Sequence, residues 1–277
     1  MMGRMCDRCY GIGRRGFLFA VGAGATSAAL GQVDVGAASR LRTLVPAEQL
    51  ESAAREQYAG LLAQARDKRA LAPPDHPQYQ RLRAISQRLI AHAPRWNPRA
   101  AQWQWEVNLI GSKLVNAFCM PGGKIAVFTG LLDQLKLTDD EAAMVVGHEM
   151  AHALREHARE RIAKTYGTNA ALSIGAQILG LGSLGDAAAR AGTQLLALRF
   201  SRGDEIEADL VGLELAARAG FNPEAAVTLW QKMGSLDKQK SQPAWLSTHP
   251  TGEDRIARLR KNIPKVRGLY QQAIARR

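Results

Sequence analysis

His148, Glu149, Met150, Ala151 and His152 place two imidazoles four positions apart with a carboxylate beside the first. At 3.6 residues per turn, positions i and i+4 share one face of a helix, so both rings can reach a single ion while Glu149 stands close enough to work on water bound there. That is the HExxH spacing that holds zinc in peptidases. A helix is predicted around it. Thr138, Asp139, Asp140 and Glu141 read as a capping box, and from Ala142 to Ile162 there is no proline and apolar residues recur at helical spacing.

A glycine three residues after His152 and a histidine three beyond that would mark a metzincin; Arg155 and Ala158 stand there, which excludes that branch. His157 is out of phase with His152 on a continuous helix and is read as a solvated surface histidine. The third ligand is expected from a downstream carboxylate, and the best helical acidic cluster is Asp204, Glu205, Ile206, Glu207, Ala208 and Asp209. Glu205 and Asp209 lie four apart, so one can bind the ion while the other accepts a hydrogen bond from a ligand histidine and fixes its ring. Glu207 is out of phase with Glu205 and is assigned to a solvated acidic face.

Together with three further segments, these residues resemble the zinc metallopeptidase family that includes the CAAX prenyl endopeptidase, HtpX and the Oma-type and periplasmic quality-control proteases. The resemblance covers roughly residues 80–262 and rests on NAFCMPGGKIAVFTGLL at 116–132, VVGHEMAHALREH at 145–157, SRGDEIEADLVGLELAARAGFNP at 201–223 and STHPTGEDRIARL at 247–259. It implies one zinc ion held by His148, His152 and Glu205, with Asp209 orienting a ligand. It also implies that His249 and Arg255 approach the metal from the C-terminal region. There, either could stabilise the oxyanion formed at an attacked carbonyl, or His249 could ligate the metal and block it.

The elements that must position this site read as an α+β, mainly helical, zincin-type fold. Alternation through Val107, Leu109, Leu114, Asn116 and Phe118, then Pro121, Gly122 and Gly123 before Lys124 to Phe128, suggests a small antiparallel sheet beside the zinc helix. In such peptidases an edge strand pairs with the substrate backbone, which points to Asn116, Ala117 and Phe118 as substrate-binding. Ala47 to Leu71 and Gln78 to Ala93 read as helices, and Asn222 and Pro223 start another. A Gly-rich apolar stretch at 170–184 could be a lid, a membrane-touching hairpin or an irregular buried helix pair. Trp96, Trp103, Trp105, His76 and His92 are read as structural.

Three protein ligands would leave a fourth position for water, whose pKa falls to about 7 on zinc, with Glu149 as general base. The expected activity is endopeptidase cleavage of misfolded or misassembled cell-envelope proteins. The rival expectation is a non-hydrolytic or latent zinc-bound protein that holds such clients.

At the N-terminus Arg4, Arg8, Arg14 and Arg15 precede an apolar run from Gly16 to Leu30 and small residues through Ala38, the layout of an export signal. Arg14 to Leu18 resemble a twin-arginine signal, with the general secretory route as the alternative. Residues 1–38 are therefore set aside from the fold as a cleaved signal or an N-terminal anchor, leaving 39–277 as a single domain in a bacterial periplasm or cell envelope. Cys6 and Cys9 fall in that leader, so Cys119 alone remains and no intramolecular disulfide forms. The formal charge is +12, and setting aside the leader's four arginines and two aspartates leaves +10. A contact with an anionic membrane surface or acidic clients fits that charge, whereas no nucleic-acid recognition motif accompanies it.

Overall fold

The computed structural model describes residues 33–169, 195, 198–238, 244–249 and 253–276. Most of the expected leader and the 170–184 stretch lie outside the described residues. In chain order the elements are α1 (Ala47–Asp67), α2 (Pro77–Ile90), β1 (Glu106–Ile110), β2 (Ala117–Met120), β3 (Lys124–Phe128), α3 (Thr129–Gln134), α4 (Asp139–Leu154), α5 (His157–Asn169), α6 (Arg202–Arg218), α7 (Ala225–Lys238), α8 (Ala244–Thr248) and α9 (Glu253–Ala275). This is the expected α+β, mainly helical architecture.

The sheet departs from expectation in one respect: it is mixed. β2 and β3 form the antiparallel hairpin, turning at Gly122 and Gly123 with φ of +81° and +79°, but β1 pairs with β3 in parallel, Glu106 opposite Lys124 through Ile110 opposite Phe128. The strand order is β1-β3-β2. The link at 111–116 therefore has to pass over the end of β3. Gly130 permits the crossing, since a Cβ there would stand 2.5 Å from the Lys113 carbonyl. The Gly130 N–H and the Thr129 hydroxyl fix it by donating to Ser112 O at 2.8 and 3.0 Å. The outer edge of β1 is covered by residues 71–72, with Ala72 N donating to Leu109 O at 3.0 Å. Among the described residues, no strand covers the outer edge of β2.

α4 is buried from Glu141 to Leu154 without interruption. A helix apolar on every side belongs inside a core, and α4 lies between α6, α2, α7 and the sheet. It is shorter than the periodicity suggested. The chain breaks after Leu154, where Asn97 Nδ2 donates to the Leu154 carbonyl at 3.1 Å, and Glu156 takes φ of +60° before α5 begins at His157. Residues 33–38, set aside with the leader, also belong partly to the fold: Val33 is buried in the main core and its N–H donates to the buried Glu214 Oε2 at 2.8 Å. Val33 is thus the anchor of a strap along which Gly36 and Ala37 stay exposed.

Candidate metal centre

Two capping boxes set the helices that carry the site. Thr138 Oγ1 accepts from Glu141 N at 3.2 Å while Thr138 N donates to Glu141 Oε2 at 2.9 Å, fixing the start of α4. Ser201 and Asp204 do the same for α6, at 3.2 and 2.8 Å. Glu205 then sits in the first turn of α6, where the helix dipole favours a negative charge. α4 and α6 meet at two glycines: a Cβ on Gly147 would stand 3.0 Å from Gly212 O, and one on Gly212 would stand 2.7 Å from His148 N. Sequence reading missed this pair. Its signal was available, since each glycine interrupts a helix in the turn beside a candidate ligand or its partner.

His148, His152, Glu205 and His249 converge in the interior, their ligand atoms all within 4.8 Å of one another. His148 Nε2 is 3.1 Å from His152 Nε2 and 3.3 Å from His249 Nδ1. Glu205 Oε1 is 3.0 Å from His249 Nδ1 and 3.5 Å from His152 Nε2, and Glu205 Oε2 is 3.5 Å from His148 Nε2. A tetrahedron of ligands around zinc has edges of about 3.3–3.4 Å for bonds of 2.0–2.1 Å. The five separations above, taken over both Glu205 oxygens, scatter around that value within a group no wider than 4.8 Å, which one small divalent ion could draw together.

Proton placement supports the same fit. His148 Nδ1 lies 3.1 Å from Asp209 Oδ1, which can only accept when ionised, so a proton sits on Nδ1 and Nε2 is the nitrogen turned inward, able to ligate once a metal ion displaces its proton. Glu205 Oε2 is buried without an aligned hydrogen-bond donor; its charge contact is Arg255 Nη1 at 2.7 Å. Inward lone pairs and a carboxylate at these distances repel one another unless a cation lies among them.

The charges are strongly coupled. Burial alone would raise the Glu205 carboxyl, but hydrogen bonds from His148 and His249 and the nearby imidazole charges hold it far below the usual carboxylate range. Burial would lower His148, yet Asp209 and Glu205 raise it to about 9. Burial lowers His152 well below the ordinary imidazole value, keeping it neutral as a ligand requires. For Asp209 burial is outweighed by Arg255, and the carboxyl is lowered.

Glu149 lies beside the ligand group. Its Oε1 accepts from Trp245 Nε1 at 2.5 Å and is 3.6 Å from His249 Nε2. His249 itself follows α8, its ring stacked on Trp245, and joins the other three as a fourth candidate ligand where a three-ligand site would leave room for water. Arg255 does not face the reacting position, contrary to its expected oxyanion role. Its Nε and Nη2 each hold Asp209 at 2.7 Å, Nη1 holds Glu205, and the guanidinium lies 3.5 Å over the Trp230 ring. It is a clamp behind the ligands.

A shallow cleft opens onto His152, lined among others by Trp103, Cys119, Pro121, Ala153 and Phe200. Ala117 and Cys119 face the main core side of β2, while Phe118 turns the other way against Tyr58 and Phe128. Phe118 can therefore contribute its backbone to a ligand on this edge, but its ring is on the far face. Asn116 Oδ1 accepts from Ala117 N at 3.0 Å and Asn116 O accepts from Phe128 N at 3.1 Å. Two residues read as bland are not so. His157 is buried, 2.9 Å from the His152 ring, because the break at Glu156 turns it back; Glu207 pairs with Arg155 and His157 instead of lying on a solvated face.

A buried helix carrying HExxH, with a carboxylate from a second helix and a mixed sheet alongside, defines a zincin-type metallopeptidase fold. The chain belongs to Peptidase family M48, whose model matches residues 77–263. Among its relatives is the mitochondrial metalloendopeptidase OMA1 of Schizosaccharomyces pombe, 34% identical over 214 residues, which is 76% of this chain and 60% of that protein. OMA1 of Arabidopsis thaliana is 43% identical over 151 residues, covering 54% of this chain and 30% of the relative. The metalloprotease LoiP of Escherichia coli is 32% identical over 154 residues, 55% of this chain and 60% of that protein. The chain thus spans less than two thirds of the length of these relatives.

These relatives overturn the expected bacterial periplasmic location, since the OMA1 proteins of plant, fungi and animals are mitochondrial by name. The physical reason is that Arg-rich, acid-poor leaders serve organelle transit as well as export, so Arg4 to Arg15 do not select a compartment.

Proposed function

We propose that this chain is a zinc-dependent endopeptidase acting on peptide bonds of unfolded or misassembled proteins, and that the described conformation is its latent state. The observation that carries the reading is the Glu149 carboxylate standing beside three imidazoles and a carboxylate spaced as tetrahedral ligands. His148, His152 and Glu205 would hold zinc, with Asp209 orienting His148 and Arg255 fixing Asp209 and Glu205. Zinc there would polarise a carbonyl and acidify water. Glu149 would take the proton from the attacking water and return it to the leaving amine, with Trp245 holding one carboxylate oxygen in place. His249 would have to leave this group before a carbonyl could enter, and its imidazole could then donate to the developing oxyanion. The edge of β2, uncovered by any strand among the described residues, offers backbone groups to an extended peptide without regard to sequence, which suits unfolded substrates. The basic surface suits acidic clients or an anionic membrane.

His249 in the fourth position also favours a second reading, a zinc-supported protein that holds unfolded clients without cutting them. Chelator-sensitive cleavage of unfolded casein by wild type, absent in Glu149→Gln, supports the peptidase. Equal protection of a client by both proteins, with no cleavage by either, supports the holder and refutes the peptidase.

A further inference from the structure

Each candidate zinc ligand on α4 has its outward nitrogen occupied, but by different means. His148 Nδ1 meets the Asp209 carboxylate directly at 3.1 Å. His152 Nδ1 meets another imidazole, His157 Nδ1, at 2.9 Å, and His157 Nε2 lies 3.4 Å from Glu207 Oε2. Glu207 Oε2 in turn accepts from Arg155 Nε at 2.8 Å, and Arg155 Nη2 donates to Gly36 O at 3.0 Å on the N-terminal strap. His152, His157 and Arg155 are buried, while the Glu207 side chain is 30% exposed and marks where the series reaches the surface.

We propose that His157 and Glu207 are positioning residues for His152, forming an imidazole-to-carboxylate relay that fixes its tautomer and ring for metal binding. The chemistry admits one proton arrangement. A ligating His152 needs its lone pair on Nε2, so Nδ1 carries the proton and donates to His157 Nδ1. His157 then carries its own proton on Nε2, which is the atom facing the Glu207 carboxylate. Two contacts fix the ring from different directions. Phe200 stacks on His152 with centroids 3.9 Å apart and sets the ring plane, while His157 sets the rotation within that plane. The helix break builds the relay: on an uninterrupted α4 the residue five past His152 would point elsewhere, whereas Glu156 at φ +60° folds His157 back. Glu156 is held in that conformation by Arg42 at 2.9 Å and by Arg159.

This inference rests on the proposed metal site and is tested on binding, apart from cleavage. Zinc affinity of the full chain is measured by competition with a chromophoric chelator, and the visible spectrum of the cobalt-substituted protein is recorded, for wild type, His157→Leu, His157→Asn and Glu207→Gln. Partners of this kind change metal affinity by about 10–100-fold, and His157→Leu is expected to weaken zinc binding within that range and shift the cobalt bands. His157→Asn, whose side-chain oxygen can accept from His152 Nδ1, is expected to recover most of the affinity and the wild-type spectrum. Glu207→Gln, which leaves the core unchanged, is expected to lose several-fold. Wild-type affinity in His157→Leu, or Asn and Leu variants equally weak, overturns the relay while leaving the peptidase reading intact. A wild-type chain that binds no zinc overturns both.

Discussion

Gly212→Ala tests how the α4–α6 crossing sets the site. The new methyl would stand 2.7 Å from His148 N, 2.9 Å from Gly147 C and 3.0 Å from His148 Cα, all backbone atoms that cannot swing aside. Carbon contacts are comfortable at about 3.5–4.0 Å, so the helices must separate by about 0.8 Å or more. The His148 to Asp209 contact of 3.1 Å would stretch to about 3.9 Å, beyond hydrogen-bonding reach. Overpacking of this kind costs about 1–3 kcal/mol, which for a domain of this size lowers Tm by roughly 2–12 °C. Gly234→Ala is the control: it lies in α7 with nothing within 4 Å of the added carbon, and should leave stability equal or raise it by up to about 1 kcal/mol. Thermal melts of the metal-free proteins and zinc competition are the assays. Gly212→Ala with the Tm and the zinc affinity of wild type would refute the argument that backbone contact at this crossing holds the ligands in register.

Truncation to residue 39 removes buried Val33 and its bond to Glu214 together with the Arg155 contact to Gly36; the loss should be at least the roughly 1.5–3 kcal/mol of one buried valine, and a truncated chain that melts as the full chain does would contradict this. For Glu141, burial is outweighed by Lys232, the Thr138 N–H and Thr228, and the carboxyl is lowered. Its stabilisation is therefore fully present above its unfolded pKa and is lost as pH falls through the lower folded value, so the Tm gap between wild type and Glu141→Gln should close in acid; a gap constant from pH 7 to 3 contradicts this. Burial first, then the Glu149 charge, raises the Cys119 thiol well above its usual range. Iodoacetamide at pH 8 should accordingly label it far more slowly than free cysteine, and labelling at the free rate would show that β2 does not shelter it.

The candidate metal site was legible because it is written locally. HExxH on one helix face, a capping box ahead of it, and Glu205 with Asp209 one turn apart need no tertiary information, and the structure brings all of these side chains together. What was not legible depended on chain direction in space. His157 looked out of phase because one residue of positive φ, Glu156, is invisible to a periodicity argument. Arg255 looked like a candidate for the reacting position because sequence order does not say which side of a ligand a guanidinium approaches. The parallel placement of β1 follows from a crossing at Gly130 that alternation of apolar residues cannot show. The basic and apolar segments within residues 1–30 fit more than one compartment, so they misled about location.

The most direct test is zinc K-edge absorption with metal analysis on the purified protein and on Glu205→Gln, His152→Ala and Glu149→Gln. One zinc per chain is expected in wild type and Glu149→Gln, with nitrogen and oxygen neighbours at about 2.0–2.2 Å, and a sharp loss of metal in the other two. Zinc retained at full stoichiometry with an unchanged ligand shell after loss of His152 or Glu205 would contradict a site built from α4 and α6.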